Sequence, residues 1–182
     1  NRDSSGTLSS TNPYWTTTHA YNAAGLVTST SVEKATSSSV TSSLSYDTSG
    51  RVVSSTTPAG RVTSVSYDER GHQFRVTAAP GTSIAATQTY DYDLAGRLSR
   101  ITDAIGGIQT FAADAIGHLV STTNEVGTTA QADYDTAGNL VQVRVRNASG
   151  TLFDRSDFLV DQRGRRYATS RKIVDTSGSV TG

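Results

Sequence analysis

Tyr46-Asp47-Thr48-Ser49-Gly50-Arg51-Val52 is the stretch of this sequence that decides the fold. Close copies return at Tyr67-Asp68-Glu69-Arg70-Gly71, at 92–98 and at 134–140. Looser copies lie at 21–27 and 113–119, and 160–165 keeps only Asp-x-x-Gly-Arg. Because one short pattern recurs along most of the chain, the sequence predicts an array of repeats rather than one irregular domain.

The spacing within the motif is typical of a tight β-hairpin turn. Asp47 can fold its carboxylate onto backbone N–H groups two or three residues on, and Gly50 falls where the chain needs a positive φ. A type I turn followed by such a residue makes a hairpin with a G1 bulge, which places Tyr46 and Val52 opposite each other at the strand ends. We therefore assign a structural turn role, not a catalytic one, to Tyr46, Asp47, Gly50, Tyr67, Asp68, Gly71, Tyr92, Asp93, Gly96, Asp114, Gly117, Tyr134, Asp135, Gly138, Asp161 and Gly164.

Composition narrows the class of protein. The formal net charge is zero, so charge does not direct the chain to nucleic acid or to an anionic membrane. The chain has 25 Ser and 28 Thr but only 35% hydrophobic residues, which is natural for a solvated β-sheet. Cysteine is absent and no apolar run approaches about 18 residues, so we expect no disulfide, thiolate site or membrane span. This amino-acid composition predicts a secreted or cell-surface protein of bacterial type.

The turns mark out a continuous β-meander. Gly50 to Gly71, Gly96 to Gly117 and Gly117 to Gly138 are each 21 residues apart, and a second turn falls near the middle of each unit. No segment keeps a 3.6-residue period, so we expect an all-β chain of tandem hairpins in one continuous antiparallel sheet. Because a spiral or closed tube would remove the open edges of such a sheet, we expect the sheet to be coiled, as a segment of a β-spiral shell or tube. The expected organisation is an irregular lead-in or degenerate repeat at 1–20 and an array at 21–178, with units near 25–50, 50–71, 71–96, 96–117, 117–138, 138–164 and 164–178.

Some details of this layout are less regular. A polar connection is expected at Glu33–Ser38, between strands Leu26–Val32 and Ser39–Tyr46. Trp15, the sole tryptophan, is interpreted as a packing anchor for the first strands. Asp175-Thr176-Ser177-Gly178 repeats the turn spacing, after which the sequence stops mid-pattern. We therefore expect the chain to be a fragment of a longer one.

With these residues the chain resembles the YD-repeat, or Rhs-repeat, family. The family pattern Gly-Arg-Leu-Thr-x-Val-Thr-Asp-Pro-x-Gly-x-x-Thr-x-Tyr-x-Tyr-Asp is followed in length and at most positions by 50–68 and again by 96–114. The second match has Phe111 and Ala113 where the two aromatic residues stand in the pattern. The resemblance covers roughly residues 20 to 178.

The resemblance implies a structural role. Such repeats coil into a β-sheet that spirals into a hollow shell in bacterial Rhs toxins, in the B and C components of Tc toxins and in teneurins. In the toxins the shell encloses a C-terminal toxic polypeptide, which is released at an Asp-Pro-type core boundary by aspartate-dependent cleavage. Asp-Pro does not occur in this chain, so no protease residues carry over.

Other candidate sites are weak. His72 and His118 directly follow turn glycines, where Arg51, Arg97 and Arg165 stand in sister copies, so they are interpreted as turn-flanking residues rather than as a zinc site or general base. Each turn offers one or two carboxylates, too few for calcium, and no Gly-x-Ser-x-Gly elbow occurs. A basic run is interpreted as a solvated strand face, or as a contact to an acidic cargo or partner; its members are Arg163, Arg165, Arg166, Arg171 and Lys172.

Three functions follow from these patterns. The first is a non-catalytic scaffold, a segment of a shell around a toxin or of an extracellular surface structure or fibre. The second is a carbohydrate- or cell-surface-binding adhesion module that stacks sugars on the repeated tyrosines. The third, an enzyme, is the least supported, and we expect no catalytic residues, metal or cofactor. The expected partners are neighbouring repeats of a longer chain or further copies, and beyond those an enclosed toxin polypeptide or a surface glycan or receptor.

Overall fold

Strands account for all the regular structure in the described part of the chain. The structure, a computed structural model, describes residues 16–35, 38–174 and 180–181. Its strands are β1 Thr17–Tyr21, β2 Val27–Ala35, β3 Ser38–Tyr46, β4 Val52–Thr56, β5 Val62–Tyr67, β6 Gln73–Ala78, β7 Ala86–Tyr92, β8 Leu98–Thr102, β9 Ile108–Ala113, β10 Leu119–Thr123, β11 Thr129–Tyr134, β12 Leu140–Arg146, β13 Leu152–Val160, β14 Arg166–Val174 and β15 Val180–Thr181.

The strands are arranged as a meander. The chain forms two units, Asn1–Gln88 and Thr89–Gly182, and within each unit a strand pairs antiparallel with the next strand of the sequence. Within each unit, the hydrogen-bonded strand order therefore follows the chain order. The predicted all-β class and the tandem hairpins are confirmed.

Side chains alternate between the two faces of the sheet, as β12 illustrates. Val143 lies opposite Ala132 of β11, whereas the next residue, Arg144, lies opposite Gln131. Since neighbouring residues of a strand point to opposite faces, one face of this hairpin is aliphatic and the other is polar. The alternation expected for 140–146 is therefore present.

The sheet has no buried hydrophobic core. Among the described residues, no hydrophobic side chain is buried, and several large ones are mostly exposed, including Leu94 at 94% and Ile105 at 93%. A single layer of this kind depends on strand-to-strand hydrogen bonds and on contacts between consecutive hairpins for its stability.

The structure differs from the sequence-based layout at its N-terminal side. The expected polar connection Glu33–Ser38 is wrong in extent, since β2 continues to Ala35 and Glu33 pairs with Ser39. The expected lead-in ends in a strand, β1, whose β-branched Thr17 and Thr18 pair with β2. Trp15 and the turn at 175–178 lie outside the described residues.

One turn departs from the glycine rule. Ala79 has a φ of 49°, the only positive φ of a non-glycine residue among those described. The left-handed region costs an L-residue about 1–2 kcal/mol, so we expect Ala79→Gly to stabilise the protein by up to about 1 kcal/mol after the added chain entropy of glycine. The check is urea unfolding, with Ala59→Gly in an ordinary turn as the control. A loss of stability in Ala79→Gly as large as that of the control would contradict the expectation.

Candidate functional site: the tyrosine–aspartate turns

The turn at Asp47 shows how the motif folds. The N–H of Gly50 donates to the Asp47 carbonyl at 3.0 Å, and the N–H of Asp47 donates to the Arg51 carbonyl at 2.9 Å. Asp47 Oδ1 accepts the N–H groups of Ser49 and Arg51, each at 2.9 Å. The carboxylate thus reaches residues two and four places on, rather than two and three, because Gly50 uses its N–H to close the turn.

The same geometry recurs along the chain. Oδ1 of the first turn residue accepts the N–H groups two and four places on at Asn22, Asp68, Asp93, Asp103, Asp114, Asn124, Asp135, Asn147 and Asp161. The set includes the turns of the repeated motif and also the second turns in the middle of the units. An oxygen acceptor at this position therefore has a backbone role wherever it occurs.

The residue after the turn glycine closes a second contact. Arg51 Nε donates to Asp47 Oδ2 at 2.7 Å, and His118 Nδ1 lies 3.0 Å from Asp114 Oδ2. Asn139 Nδ2 donates to Asp135 Oδ2 at 2.9 Å. From the sequence, the residue after the turn glycine was expected only to flank the turn. The recurrence of Arg, His or Asn four residues after Asp is the signal that could have predicted its side-chain contact with the aspartate. The other pairs of this kind are His72 with Asp68, Arg97 with Asp93 and Arg165 with Asp161.

The tyrosine before the turn links one copy of the motif to the copy before it. Tyr46 lies opposite Val52, as the hairpin interpretation predicts. Its hydroxyl donates to the carbonyl of Val27 at 2.6 Å, and the Tyr67 hydroxyl donates to the carbonyl of Val52 at 2.9 Å. Tyr134 repeats the contact with the carbonyl of Leu119 at 3.0 Å. Each hydroxyl thus satisfies the carbonyl of the last residue in the preceding copy of the motif.

The residue after the glycine covers the next tyrosine. The Arg51 guanidinium lies 4.6 Å from the ring centroid of Tyr67, and the His118 ring stacks on Tyr134 at 4.4 Å and 18°. Arg97 continues the pattern by donating from Nη1 to the Asp114 carbonyl at 2.6 Å. The first two contacts are of the cation–π and aromatic type, and all three join consecutive copies.

The other candidate residues do not converge. His19 Nδ1 lies 3.0 Å from Thr30 Oγ1, apart from the His72 and His118 turns. Within the described residues, no three His, Cys, Asp or Glu side chains are placed to hold a metal ion. The basic run is divided between local partners: Arg165 pairs with Asp161, Arg171 pairs with Asp154, and the Arg166 guanidinium lies 3.8 Å from the Phe158 ring centroid.

The turn carboxylates are poised to stay ionised. The backbone N–H of the residue after the glycine is the main cause that lowers the pKa of Asp47, Asp93 and Asp161. The Asn139 side chain is the main cause that lowers the pKa of Asp135. For Asp68 and Asp114, partial burial raises the pKa, but hydrogen bonds outweigh it and the pKa is still lowered.

These shifts predict acid sensitivity. A carboxyl whose folded pKa lies below its unfolded value stabilises the fold above the unfolded pKa, and that contribution is lost as the pH falls through the folded pKa. The ordinary value is 3.8, so we expect constant stability down to about pH 5 and a steep loss below it, shared by the six turns. Urea unfolding at a series of pH values checks this. A urea midpoint of unfolding that stays constant as the pH is lowered from about 5 to about 3 would contradict it.

Comparison with known proteins finds a family match for one part of the chain. Residues 46–83 match the family model described as RHS Repeat. No curated protein matches the chain. In the described part of the chain, no helix is long and apolar enough to cross a membrane.

Solved structures share the fold. The crystal structure of TcdB2-TccC3-Cdc42 is similar to this chain with a TM-score of 0.60 and 13% identity, over 75% of this chain and 9% of the other. The crystal structure of TcdB2-TccC3 without its hypervariable C-terminal region gives 0.59 and 13%, over 88% and 11%. The Tc holotoxin pore of Photorhabdus luminescens gives 0.56 and 13%, over 86% and 10%. This chain therefore spans only 9–11% of the length of these structures.

The family match covers the turn motifs at Tyr46 and Tyr67, and the similar structures share the fold of the chain. By its repeated motif and by its fold, the chain is similar to the YD-repeat, or Rhs-repeat, family, and residues 46–83 match that family's model.

Proposed function

We propose that the chain is a non-catalytic structural scaffold. It is a segment of a YD-repeat β-shell that encloses a toxin polypeptide, or of an extracellular surface structure or fibre. The longer protein is secreted or displayed at the cell surface of a bacterium. The chain's neighbours are further repeats of that protein or further copies.

The contacts between consecutive copies of the motif carry this proposal. The hydroxyls of Tyr46, Tyr67 and Tyr134 are bound to carbonyls of the preceding copy of the motif, and Arg51 and His118 cover the tyrosine rings of the next copy. The turn carboxylates are bound to backbone N–H groups and to the residue after the glycine. Since the chemistry of the motif is directed at its own repeat and its neighbours, we propose that the recurring Tyr, Asp and Gly residues are structural.

The lack of a core supports the same function. A one-layer sheet without buried hydrophobic side chains, in the part that the structure describes, gains stability as neighbouring repeats are added. The proposed units near 25–50, 50–71, 71–96, 96–117, 117–138, 138–164 and 164–178 are then steps of one array. An array of this kind suits an extended one-layer sheet better than a concave catalytic pocket.

The adhesion alternative is less well supported. Sugar binding by stacking needs an open aromatic face, whereas the Tyr67 ring is covered by Arg51 and the Tyr134 ring by His118. The polar ends of both tyrosines are also engaged with backbone carbonyls. No contact in these two turns therefore favours a glycan over a structural role.

Electron microscopy of the whole native particle tests the proposal, together with its intact mass. We expect a closed hollow shell, with density inside it if a toxin is enclosed. A tube or fibre of indefinite length would keep the scaffold role but remove enclosure. A small globular particle with a substrate-sized cleft would refute the scaffold.

A further inference from the structure

Strand register assembles a row of three cations on one face of β12, β13 and β14. Arg144 lies directly opposite Arg155, and Arg155 lies directly opposite Lys172. The three residues come from different strands, and Arg146 lies on the same face two places along β12. We call Arg144, Arg155 and Lys172 the cation row. It shares only Lys172 with the basic run of the sequence, because the consecutive residues Arg171 and Lys172 point to opposite faces.

Two carboxylates of the same face already bind members of the row. Arg144 Nη2 donates to both carboxylate oxygens of Asp133, at 2.8 and 2.7 Å. Arg155 donates from Nε and Nη2 to Asp157 Oδ1 at 3.0 and 2.9 Å. Lys172 is exposed at the end of the row and acts on Asp157 through its charge. With Arg146 included, four cations face two carboxylates, so the surface keeps a net positive charge.

The row is costly for the sheet itself. Like charges directly opposite on neighbouring strands repel each other. In addition, Arg144 Nε is shielded from solvent and has no hydrogen-bond acceptor among the described residues. A row that served stability alone would not carry these two penalties.

A sister row shows that the repeat does not need the cations. At the equivalent register in the first unit, Ser64 lies opposite Thr77, just as Gln131 lies opposite Arg144. Thr77 Oγ1 then contacts Thr87 Oγ1 of the next strand at 3.0 Å. Hydroxyl side chains therefore fill this row without any ionic group, and the cations of β12–β14 are an addition to the common fold.

We propose that the cation row docks an acidic, extended polypeptide segment. Guanidinium groups bind carboxylates in the mode that Arg144 and Arg155 already show, and alternate acidic residues of an extended chain are spaced about 7 Å apart, within reach of long side chains on strands about 5 Å apart. Asp133 and Asp157 within the same surface repel phosphate and sulfate polymers. The surface therefore fits a segment of mixed sequence, whose carboxylates meet the row and whose neutral residues meet the two aspartates.

The test is fluorescence anisotropy of the intact protein with a labelled Glu-Thr alternating peptide of about twelve residues. We expect saturable binding that weakens as salt rises from about 0.05 M to about 0.5 M. The variant Arg144→Thr/Arg155→Thr/Lys172→Thr, which copies the hydroxyl type of the sister row, should bind about tenfold more weakly. The control Arg61→Thr/Arg70→Thr/Arg75→Thr loses the same charge at other places and should bind like the unmodified protein.

Several outcomes would overturn the proposal. They are an absence of peptide binding, equal weakening in both triple variants, and tighter binding of heparin or single-stranded DNA than of the peptide. Salt-sensitive self-association that the row variant abolishes, without peptide binding, would assign the surface to a second copy instead. Circular dichroism spectra establish that the variants are folded, and Lys172→Thr alone, at the exposed end of the row, gives a readout even if the triple variant unfolds.

Discussion

Replacing Gly127 by alanine is expected to destabilise the protein by about 2–5 kcal/mol. Gly127 has a φ of +80°, where a side chain costs about 1–2 kcal/mol. A Cβ there would also lie 2.8 Å from the Ala148 Cβ and 3.4 Å from its Cα, and such overpacking adds about 1–3 kcal/mol. The measurement is the free energy of unfolding in urea.

A matched pair of variants separates the two causes. Gly60 has a φ of +76°, and no atom lies within 4 Å of the position that a Cβ would take, so Gly60→Ala should lose only the backbone part, about 1–2 kcal/mol. In Gly127→Ala/Ala148→Gly the contacting methyl group is removed, so the loss should fall towards that of Gly60→Ala. If Gly127→Ala and Gly60→Ala cost the same, the clash between neighbouring turns is not real.

Tyr67→Ala is expected to cost about 2–3 kcal/mol. The change removes the ring under Arg51 and the hydroxyl bound to the Val52 carbonyl. A fully buried aromatic residue loses about 3–5 kcal/mol on truncation, and Tyr67 is only half-buried. Since the contact joins two copies of the motif, the loss should also broaden the unfolding transition as the array becomes less cooperative.

Two further variants make the result specific. Tyr67→Phe keeps the ring and loses the hydrogen bond, so it should cost about 1 kcal/mol. Tyr167 is 68% exposed, and Tyr167→Ala should change stability by less than about 0.5 kcal/mol. Equal effects of Tyr67→Ala and Tyr167→Ala on urea unfolding would mean that the tyrosine of the motif does not link the repeats.

The candidate site was predictable where its contacts are local. The turn at Asp47 involves only the four residues that follow it, so the residue types and their spacing suffice to place its Asx bonds and its positive-φ glycine. The same argument held for His72 and His118, which were expected to flank turns and which bind Asp68 and Asp114. Their pairing with the aspartate was missed, because a polar residue after glycine is compatible with simple solvent exposure.

The contacts between repeats could not be predicted in the same way. A register shift of one residue occurs beside the turn tyrosine, for example between Ser45 and Tyr46 and between Ser66 and Tyr67. Such a shift is the G1 bulge that the turn spacing predicts. The reach of a tyrosine hydroxyl to the preceding turn depends instead on the register of the strands between the two turns, which the residue types do not reveal. The reach of the Tyr67 hydroxyl to Val52 is therefore visible only in the structure.

The sequence by itself determined the all-β class and the tandem hairpins of this protein, because turn chemistry acts within five residues and the turn glycines between Gly25 and Gly164 recur every 21 to 26 residues. Only the tertiary structure decided what each strand faces. It stacks His118 on Tyr134 and lines up Arg144, Arg155 and Lys172 in one row. The physical reason is that facing residues of different strands are selected by register, which depends on the bulges and on the hydrogen bonds of the whole sheet.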